Sequence, residues 1–346
     1  MPSPIEKLLS QVNDERIDLD LILNRFPWIT ETNKKCIISP DADGFLCGLF
    51  MNSFFNWEIV GFYDGKILLS KKNLTIKDCI FLDIEIFHPN IRSVGNHCII
   101  PHNGIYKELG NDSFKQCISP GMLRGFDGSK YFRLKYPLGT IHFLISILFN
   151  LKKIIIQKEG ISSLLFVDGV FNVLFSYPEN VITWIKYLQM DNQKHPLNSL
   201  LFKGDINLFD IMQLMRDYFI ERDKFGENID SRGDRLNISD RDGNPKNLYI
   251  GKDGCYSIKN ENKEKIIGFI KMNSEKCGWE YDPEAWTWSD LNLIKFKKEI
   301  IGGEGKKFNQ TLLREMYSKK VISNAQTAGN RIEFSHTDSY EIFNSI

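Results

Sequence analysis

Two aspartates separated by one residue and followed by a glycine form the first group in this chain that could do chemistry. The tetrapeptide Asp41-Ala42-Asp43-Gly44 follows a short apolar run, residues 36–38. Carboxylate oxygens are the ligands that Mg²⁺ and Mn²⁺ prefer, and a glycine allows a sharp turn and the close approach of a ligand. A second copy of the pattern, residues 240–243, lies in a polar stretch without a preceding apolar run, and we interpret that copy as a turn.

Three more residues with metal-ligand side chains accompany later apolar runs. Asp83 and Asp168 each end such a run, and His97 follows another. Taken alone, each aspartate could cap a helix and the histidine could be a buried structural residue. Functional groups collect at the carboxyl ends of parallel strands, so acids at three strand ends and a histidine near a fourth predict one common site.

The elements that must position these side chains alternate between strands and helices. Helical segments separate the short apolar runs, which indicates an open, mostly parallel sheet with helices on its faces. We therefore predict an α/β fold. The predicted strands are residues 36–38, 58–63, 79–82, 96–100 and 163–167, and the predicted helices between them are residues 45–55 and 139–150.

The pattern changes after residue 187 and predicts a smaller α+β domain at the C-terminal end. Residues 224–247 are polar and rich in glycine, proline and asparagine, which is typical of a boundary or an exposed loop. We divide the chain into a domain of residues 1–190, a helical connector with a polar linker of residues 191–247, and an accessory domain of residues 248–346. Beyond residue 190, the predicted elements are helices at 200–223, 290–300 and 310–317, a hairpin at 248–258 and a strand at 331–334.

The order of these motifs resembles that of the RecJ-like branch of the DHH phosphoesterase superfamily, over residues 30–190. The matching segments are Asp41-Ala42-Asp43-Gly44 for the first motif, Asp83 for the second, Asn96-His97-Cys98 for the third and Asp168 for the fourth. The resemblance implies a metal-dependent hydrolase of the nuclease type. Its substrate would be the phosphodiester bonds of single-stranded nucleic acid or of short oligonucleotides.

The resemblance also implies which residues hold two Mn²⁺ or Mg²⁺ ions. Asp83 would bridge the ions, and Asp41 and Asp43 would divide between them. His97 and Asp168 would complete the second ion's site. Such a pair of ions activates a water molecule and neutralises charge on the phosphate, so these residues are our candidate catalytic and metal-binding set.

The chain departs from the family where the signature Asp-His-His becomes Asn96-His97-Cys98. His97 matches the family's metal-binding histidine, whereas Cys98 stands where the family has a histidine near the substrate phosphate. The nearby His102 is our candidate for that catalytic role. Other candidates for contact with the substrate are Cys98 itself, Thr140 at a predicted helix start, and Gly303 and Lys306 in a glycine-rich segment that resembles a substrate loop of the family.

Two other functions stay open on the sequence. A haloacid-dehalogenase-like phosphatase also begins with a strand and this tetrapeptide, and there Asp41 would be the nucleophile and Asp43 the acid/base. That family usually follows the motif with threonine, whereas Phe45 follows it here. Alternatively, the altered third motif marks a catalytically degenerate DHH-like subunit that binds or acts as a scaffold.

Charge and cysteine usage limit the class of protein. The 44 basic and 44 acidic residues balance, which argues against a strongly basic protein that coats nucleic acid. Seven widely spaced cysteines without a CxxC pair are typical of a reducing cytoplasm. The N-terminus lacks the apolar core of a signal peptide, and the longest apolar run, residues 141–149, is too short to span a bilayer. We expect a cytoplasmic protein that does not enter a membrane.

Overall fold

The computed structural model of the protein describes residues 15–99, 111–126, 132–202, 206–226, 233–303, 309–328, 331–339 and 343. The strands are β1 (Lys35–Ile38), β2 (Glu58–Tyr63), β3 (Ile67–Lys71), β4 (Cys79–Leu82), β5 (Arg92–Val94), β6 (Cys117–Ile118), β7 (Leu248–Ile250), β8 (Tyr256–Ile258), β9 (Leu291–Lys295), β10 (Lys297–Gly302), β11 (Lys320–Ala328) and β12 (Arg331–Thr337). The helices are α1 (Leu19–Arg25), α2 (Ala42–Phe55), α3 (Pro120–Leu123), α4 (Thr140–Leu148), α5 (Gly160–Phe166), α6 (Val170–Ser176), α7 (Pro178–Tyr187), α8 (Asn198–Leu201), α9 (Leu208–Asp223), α10 (Asn260–Cys277) and α11 (Gln310–Ser318).

Within the described residues, nine strands form one mixed sheet in the order β6-β5-β4-β1-β2-β3-β9-β8-β7. The strands from β6 to β2 are parallel, and every pairing from β2 to β7 is antiparallel. The direction changes at the tight turn after β2, where the Asp64 carboxylate accepts the N–H groups of Lys66 and Ile67. The predicted α/β class is therefore confirmed, but the predicted parallel order holds only for one half of the sheet.

Helix α2 carries the tetrapeptide of residues 41–44 into the centre of the molecule. All residues of α2 except Ser53 and Phe54 are buried, because the helix packs on β1 and between α4 and α10. A helix that is apolar on all sides belongs in a core. The start of α2, and with it the backbone of the tetrapeptide loop, is consequently held by the core.

A separate three-stranded sheet, in the order β10-β12-β11, packs with α11 against the loop that follows β4. Buried side chains of the helix and of the sheet, among them Leu313 of α11 and Val321 and Phe334 of the sheet, share one apolar cluster with Phe87 and Phe114. The predicted hairpin near residues 248–258 is confirmed as β7 and β8, which join the large sheet. The division of the chain at residues 190 and 247 stays a prediction.

Three predicted elements are wrong or displaced. Residues 163–167 lie in helix α5 and the turn after it rather than in a strand, and residues 290–300 form β9 and β10 rather than a helix. The predicted strand at 96–100 is β5, which ends at Val94. Short apolar runs do not distinguish a buried strand from a buried helix, and pairing with β3 decides the outcome for β9.

Within the described part of the chain, no single helix is long and apolar enough to cross a membrane. One pair of consecutive helical segments, residues 160–176 and 178–187, meets the same criteria of length and composition together but is bent by 114°.

Candidate metal centre

The tetrapeptide of residues 41–44 forms the tight connection between β1 and α2. Asp41 is the cap of α2, and its Oδ1 accepts the N–H of Gly44 at 3.3 Å. A Cβ atom on Gly44 would lie 2.1 Å from the carbonyl oxygen of Ser39, so no residue with a side chain fits there. The hydroxyl of Ser39 is 2.8 Å from Asp41 Oδ1 and 2.5 Å from Asp83 Oδ2. Its single proton is therefore shared by the two carboxylates as hydrogen-bond acceptors.

Asp43 is buried and faces the start of α4. Its two oxygens accept the N–H groups of Thr140 at 2.5 Å and Ile141 at 3.1 Å. Free N–H groups at the first turn of a helix favour a negative charge, so Asp43 stabilises α4 while it remains next to the other acids. A Cβ atom on Gly139 would lie 2.8 Å from Asp43 Oδ2, so glycine is what allows this approach.

Asp83 lies at the centre of the site, immediately after β4. Its Oδ1 accepts a hydrogen bond from the Thr140 hydroxyl at 2.7 Å and is 3.2 Å from His97 Nε2. Its backbone has φ +63°, a left-handed conformation that residues other than glycine adopt at a cost. Asp83 is 1% exposed, so the surrounding packing enforces this conformation.

Asp168 completes a group of three side chains whose ligand atoms all lie within 4.8 Å of one another, namely Asp83, His97 and Asp168. The prediction that Asp168 ends a strand is wrong, because Asp168 lies in the kink between α5 and α6, where Asp168 and Gly169 have φ +52° and +67°. Two successive left-handed residues reverse the chain. This kink, rather than a strand, directs the Asp168 carboxylate to 3.9 Å from His97 Nε2.

Two residues that our sequence analysis did not assign to the site hold the segment that carries His97. The buried carboxylate of Glu85 accepts the N–H groups of His97 at 3.3 Å and Cys98 at 3.1 Å. The amide of Asn96 donates to Asp168 Oδ2 at 2.9 Å and to a backbone carbonyl, that of Leu138, at 2.7 Å. A sequence signal for Glu85 exists only in its position two residues after Asp83.

The pKa values of the site residues are shifted because several carboxylates lie close together and away from water. Burial, reinforced by Asp83, raises the pKa of Asp41 to about 6, and it raises the pKa of Asp43 and Asp168 as well. Burial acts on Asp83 in the same sense, but His97 and hydrogen bonds outweigh it and lower the pKa of Asp83. Burial opposes charging of His97, yet the charges of Asp168 and Asp83 raise its pKa well above the usual range.

Four of these side chains, those of Asp41, Asp83, His97 and Asp168, line a cleft with a volume of about 970 Å³, whereas Asp43 is buried and does not line it. The carboxyl ends of β1 and β4 form one wall, and residues 323–327 of β11 form another. Four cationic residues, Arg235, Lys66, Lys135 and Lys298, also line the cleft. An anionic ligand in this cleft would therefore meet positive charge around a strongly acidic floor.

The donor set fits a divalent metal ion. Asp83, His97 and Asp168 offer two carboxylate oxygens and one imidazole nitrogen, and Asp41 and Asp43 stand beside them. Hard or borderline cations such as Mn²⁺ and Mg²⁺ bind such oxygen-rich sets. The raised pKa values of three of the four aspartates indicate negative charge in excess of what the neighbouring cations balance, which a metal ion would relieve.

The remaining predicted residues differ in their placement. Thr140 is fully buried, and because its hydroxyl and N–H bind Asp83 and Asp43, it contacts the site rather than an open surface. Cys98 is buried and lines the cleft. Gly303 follows β10 and is not one of the described residues that line the cleft. His102 and Lys306 lie outside the described residues, and their roles stay predictions.

Fold and site together define an α/β protein with an acidic candidate metal centre at the carboxyl ends of parallel strands. Searches with this chain find no matching family model, no matching curated protein and no matching solved structure.

Proposed function

We propose that this protein is a phosphodiesterase that uses two divalent ions, Mn²⁺ or Mg²⁺, to hydrolyse single-stranded nucleic acid or short oligonucleotides. The observation that carries the proposal is the convergence of Asp83, His97 and Asp168 within 4.8 Å at the floor of an open cleft. The identity of the family, the two ions and the nucleic-acid substrate rest on the resemblance of the four sequence motifs. A cytoplasmic location rests on the cysteine pattern of the sequence.

The candidate ligands would hold two ions that share one residue, Asp83. Asp41 and Asp43 would divide between the two ions, and His97 and Asp168 would complete the second ion's site. A pair of divalent ions neutralises charge on a phosphoryl group and lowers the pKa of water to near neutrality. The cleft leaves the group accessible from solvent, since the His97 and Asp168 side chains are 33% and 31% exposed.

The protein's own contribution is to fix these ligands before a substrate arrives. Ser39 and Thr140 hydrogen-bond to opposite oxygens of Asp83, which fixes the plane of its carboxylate. Asn96 fixes Asp168, and Glu85 fixes the backbone that carries His97. Outer hydrogen bonds of this kind orient ligands and typically change metal affinity or activity about 10- to 100-fold when removed.

The proposal is tested by incubating the purified protein with Mn²⁺ and labelled single-stranded DNA, single-stranded RNA or a dinucleotide. We expect metal-dependent cleavage that falls more than about 100-fold in Asp168→Asn and His97→Gln, since even outer hydrogen bonds of metal sites are worth about 10- to 100-fold. The matched control is Asp242→Asn, because Asp242 belongs to the second copy of the tetrapeptide, an exposed turn closed by the Asp240 side chain. Wild-type activity of Asp242→Asn would show that the loss of cleavage is specific to substitutions in the candidate metal centre.

Two outcomes would contradict the proposal. A covalent aspartyl-phosphate trapped on Asp41 by acid quench would identify the phosphatase alternative, which alone forms that bond. Absence of cleavage of all three substrates, by a folded protein whose melting temperature Mn²⁺ does not raise, would favour the binding or scaffold subunit.

A further inference from the structure

An extended segment, residues 233–239, crosses the tetrapeptide loop and lines the cleft. Burial alternates along the segment, because Asp234, Leu236 and Ile238 are buried, whereas Arg235 and Asn237 are exposed at the cleft. The N–H of Leu236 donates to the carbonyl oxygen of Pro40 at 2.8 Å, immediately before Asp41. The segment therefore has a fixed register relative to the candidate metal centre.

Arg235 is the cation that this segment presents to the site. Its Nη2 is 3.7 Å from Asp41 Oδ2, and its side chain is 64% exposed. An exposed ion pair at this distance contributes little free energy, so the guanidinium can leave Asp41 at low cost. Any divalent ion held by Asp41 would cancel the attraction and repel the guanidinium.

Two of the other three cations of the cleft are engaged with the protein at shorter distances, and the third, Lys135, is half-buried in surroundings that lower the pKa of its ammonium group. Lys298 pairs with Glu333 at 2.7 Å, and the Lys66 ammonium donates to the carbonyl oxygen of Asp240 at 2.5 Å. A ligand would have to replace these contacts. Arg235, with the longer and more exposed contact, is the cation best placed to accept a new anionic partner.

We propose that Arg235 binds a phosphate group of the substrate beside the metal centre, an inference that rests on the proposed function. The ligand class is a phosphate ester or phosphodiester anion. A planar guanidinium offers two parallel N–H donors to two phosphate oxygens, which a lysine does not reproduce. Arg235 thus changes partner from the Asp41 carboxylate in the metal-free protein to a phosphate in the metal-loaded protein.

The test measures binding rather than turnover. Inorganic phosphate is titrated by calorimetry into wild type, Arg235→Ala, Arg235→Lys and Arg241→Ala, each with saturating Mn²⁺, after Mn²⁺ has been titrated alone. We expect phosphate affinity to fall about 10- to 100-fold in Arg235→Ala, the range for loss of a hydrogen bond to a charged group, and less in Arg235→Lys. Mn²⁺ affinity of Arg235→Ala should be equal to or higher than that of wild type, because a neighbouring positive charge is removed. Arg241 is an exposed arginine of the same polar stretch, outside the cleft, and its variant should match wild type.

The outcomes separate this inference from the proposed function. Equal phosphate affinity in Arg235→Ala and wild type, or no Mn²⁺-dependent phosphate binding by the wild type, would overturn the role of Arg235. Loss of Mn²⁺ binding in Arg235→Ala would also overturn it, since the arginine would then be structural. A wild type that binds Mn²⁺ and phosphate but cleaves no nucleic acid would refute the phosphodiesterase alone, and the Arg235 variants would still decide the phosphate subsite.

Discussion

Asparagine at position 96 fits the hydrogen bonds around it, although the resemblance to DHH phosphoesterases leads one to expect aspartate. Its side-chain nitrogen donates at once to the Leu138 carbonyl and to the Asp168 carboxylate. An ionised aspartate has no proton to donate and would face two acceptors instead. The change is therefore compatible with an intact site, because Asn96 supports a ligand and is not itself required as one.

Asp168 allows a prediction in which stability and metal binding change in opposite directions. Asparagine tolerates the left-handed backbone at this position and can keep an oxygen toward Asn96, so Asp168→Asn should fold normally. Because burial and Asp83 raise the pKa of Asp168, removing its charge should stabilise the metal-free protein at pH 8. Urea unfolding in EDTA measures this gain.

The same variant should lose the rise in melting temperature that Mn²⁺ produces in wild type. Asp242→Asn, in the exposed turn, should leave the unfolding free energy within about 0.5 kcal/mol of that of wild type and should keep the Mn²⁺-induced rise in melting temperature. A destabilised metal-free Asp168→Asn that still responds fully to Mn²⁺ would mean that Asp168 is a structural residue.

At the scale of elements, the small sheet holds the segment that carries His97. The N–H of Gln326 in β11 donates to the His97 carbonyl at 3.1 Å. Asn324 accepts the N–H of Ile99 at 2.9 Å, and the Tyr317 hydroxyl of α11 donates to the Ile99 carbonyl at 2.7 Å. The candidate metal centre is thus assembled from both sheets, and docking of β11 should influence His97.

Replacing Asn324 tests this coupling. Asn324→Ala leaves the buried N–H of Ile99 without its acceptor, which should cost about 1–3 kcal/mol of unfolding free energy and loosen the His97 segment. We expect Mn²⁺ affinity, measured by calorimetry, to fall about 10-fold, as for other outer partners of metal ligands.

The matched control is Asn273→Ala. Asn273 is also buried. Its described side-chain hydrogen bonds join it to the Tyr218 hydroxyl and to the Phe269 carbonyl, and not to a candidate metal ligand or to the segment that carries His97. It should lose comparable stability and keep wild-type Mn²⁺ affinity. An equal loss of affinity in both variants would assign the effect to general destabilisation.

The sequence predicts those features of the fold and of the site that are caused by residues adjacent along the chain. The apolar run before Asp41 and the one before Asp83 are strands β1 and β4, because both lie in the buried parallel half of the sheet. Asp168 was assigned to the wrong element, since its orientation comes from a kink that only the packing of α5 and α6 enforces. The contacts of Glu85 and Arg235 with the site join segments distant along the backbone, and a pattern of neighbours along the chain does not contain them.

For the molecule as a whole, the acidic site makes the metal-free fold sensitive to pH. The pKa of Asp41 rises from 3.8 to about 6 on folding, so between these values the folded protein holds a proton that the unfolded chain has released. Stability then falls as pH rises. His97 acts in the same direction, because its raised pKa contributes stability that is lost as pH rises beyond the usual value for histidine, 6.5. The lowered pKa of Asp83 acts in the opposite direction, but only below pH 3.8.

We therefore expect the metal-free protein to be less stable at pH 8 than at pH 5, with Asp41 contributing on the order of 1–3 kcal/mol to the difference. The measurement is the melting temperature in EDTA from pH 5 to pH 9, for wild type, Asp41→Asn and Asp242→Asn. Asp41→Asn should flatten the slope, and Asp242→Asn should retain it. Saturating Mn²⁺ should reduce or reverse the slope, because metal binding competes with protons and is strongest where the ligands are ionised. A metal-free melting temperature that rises from pH 5 to pH 8, or an unchanged slope in Asp41→Asn, would show that the carboxylates do not repel one another as their burial implies.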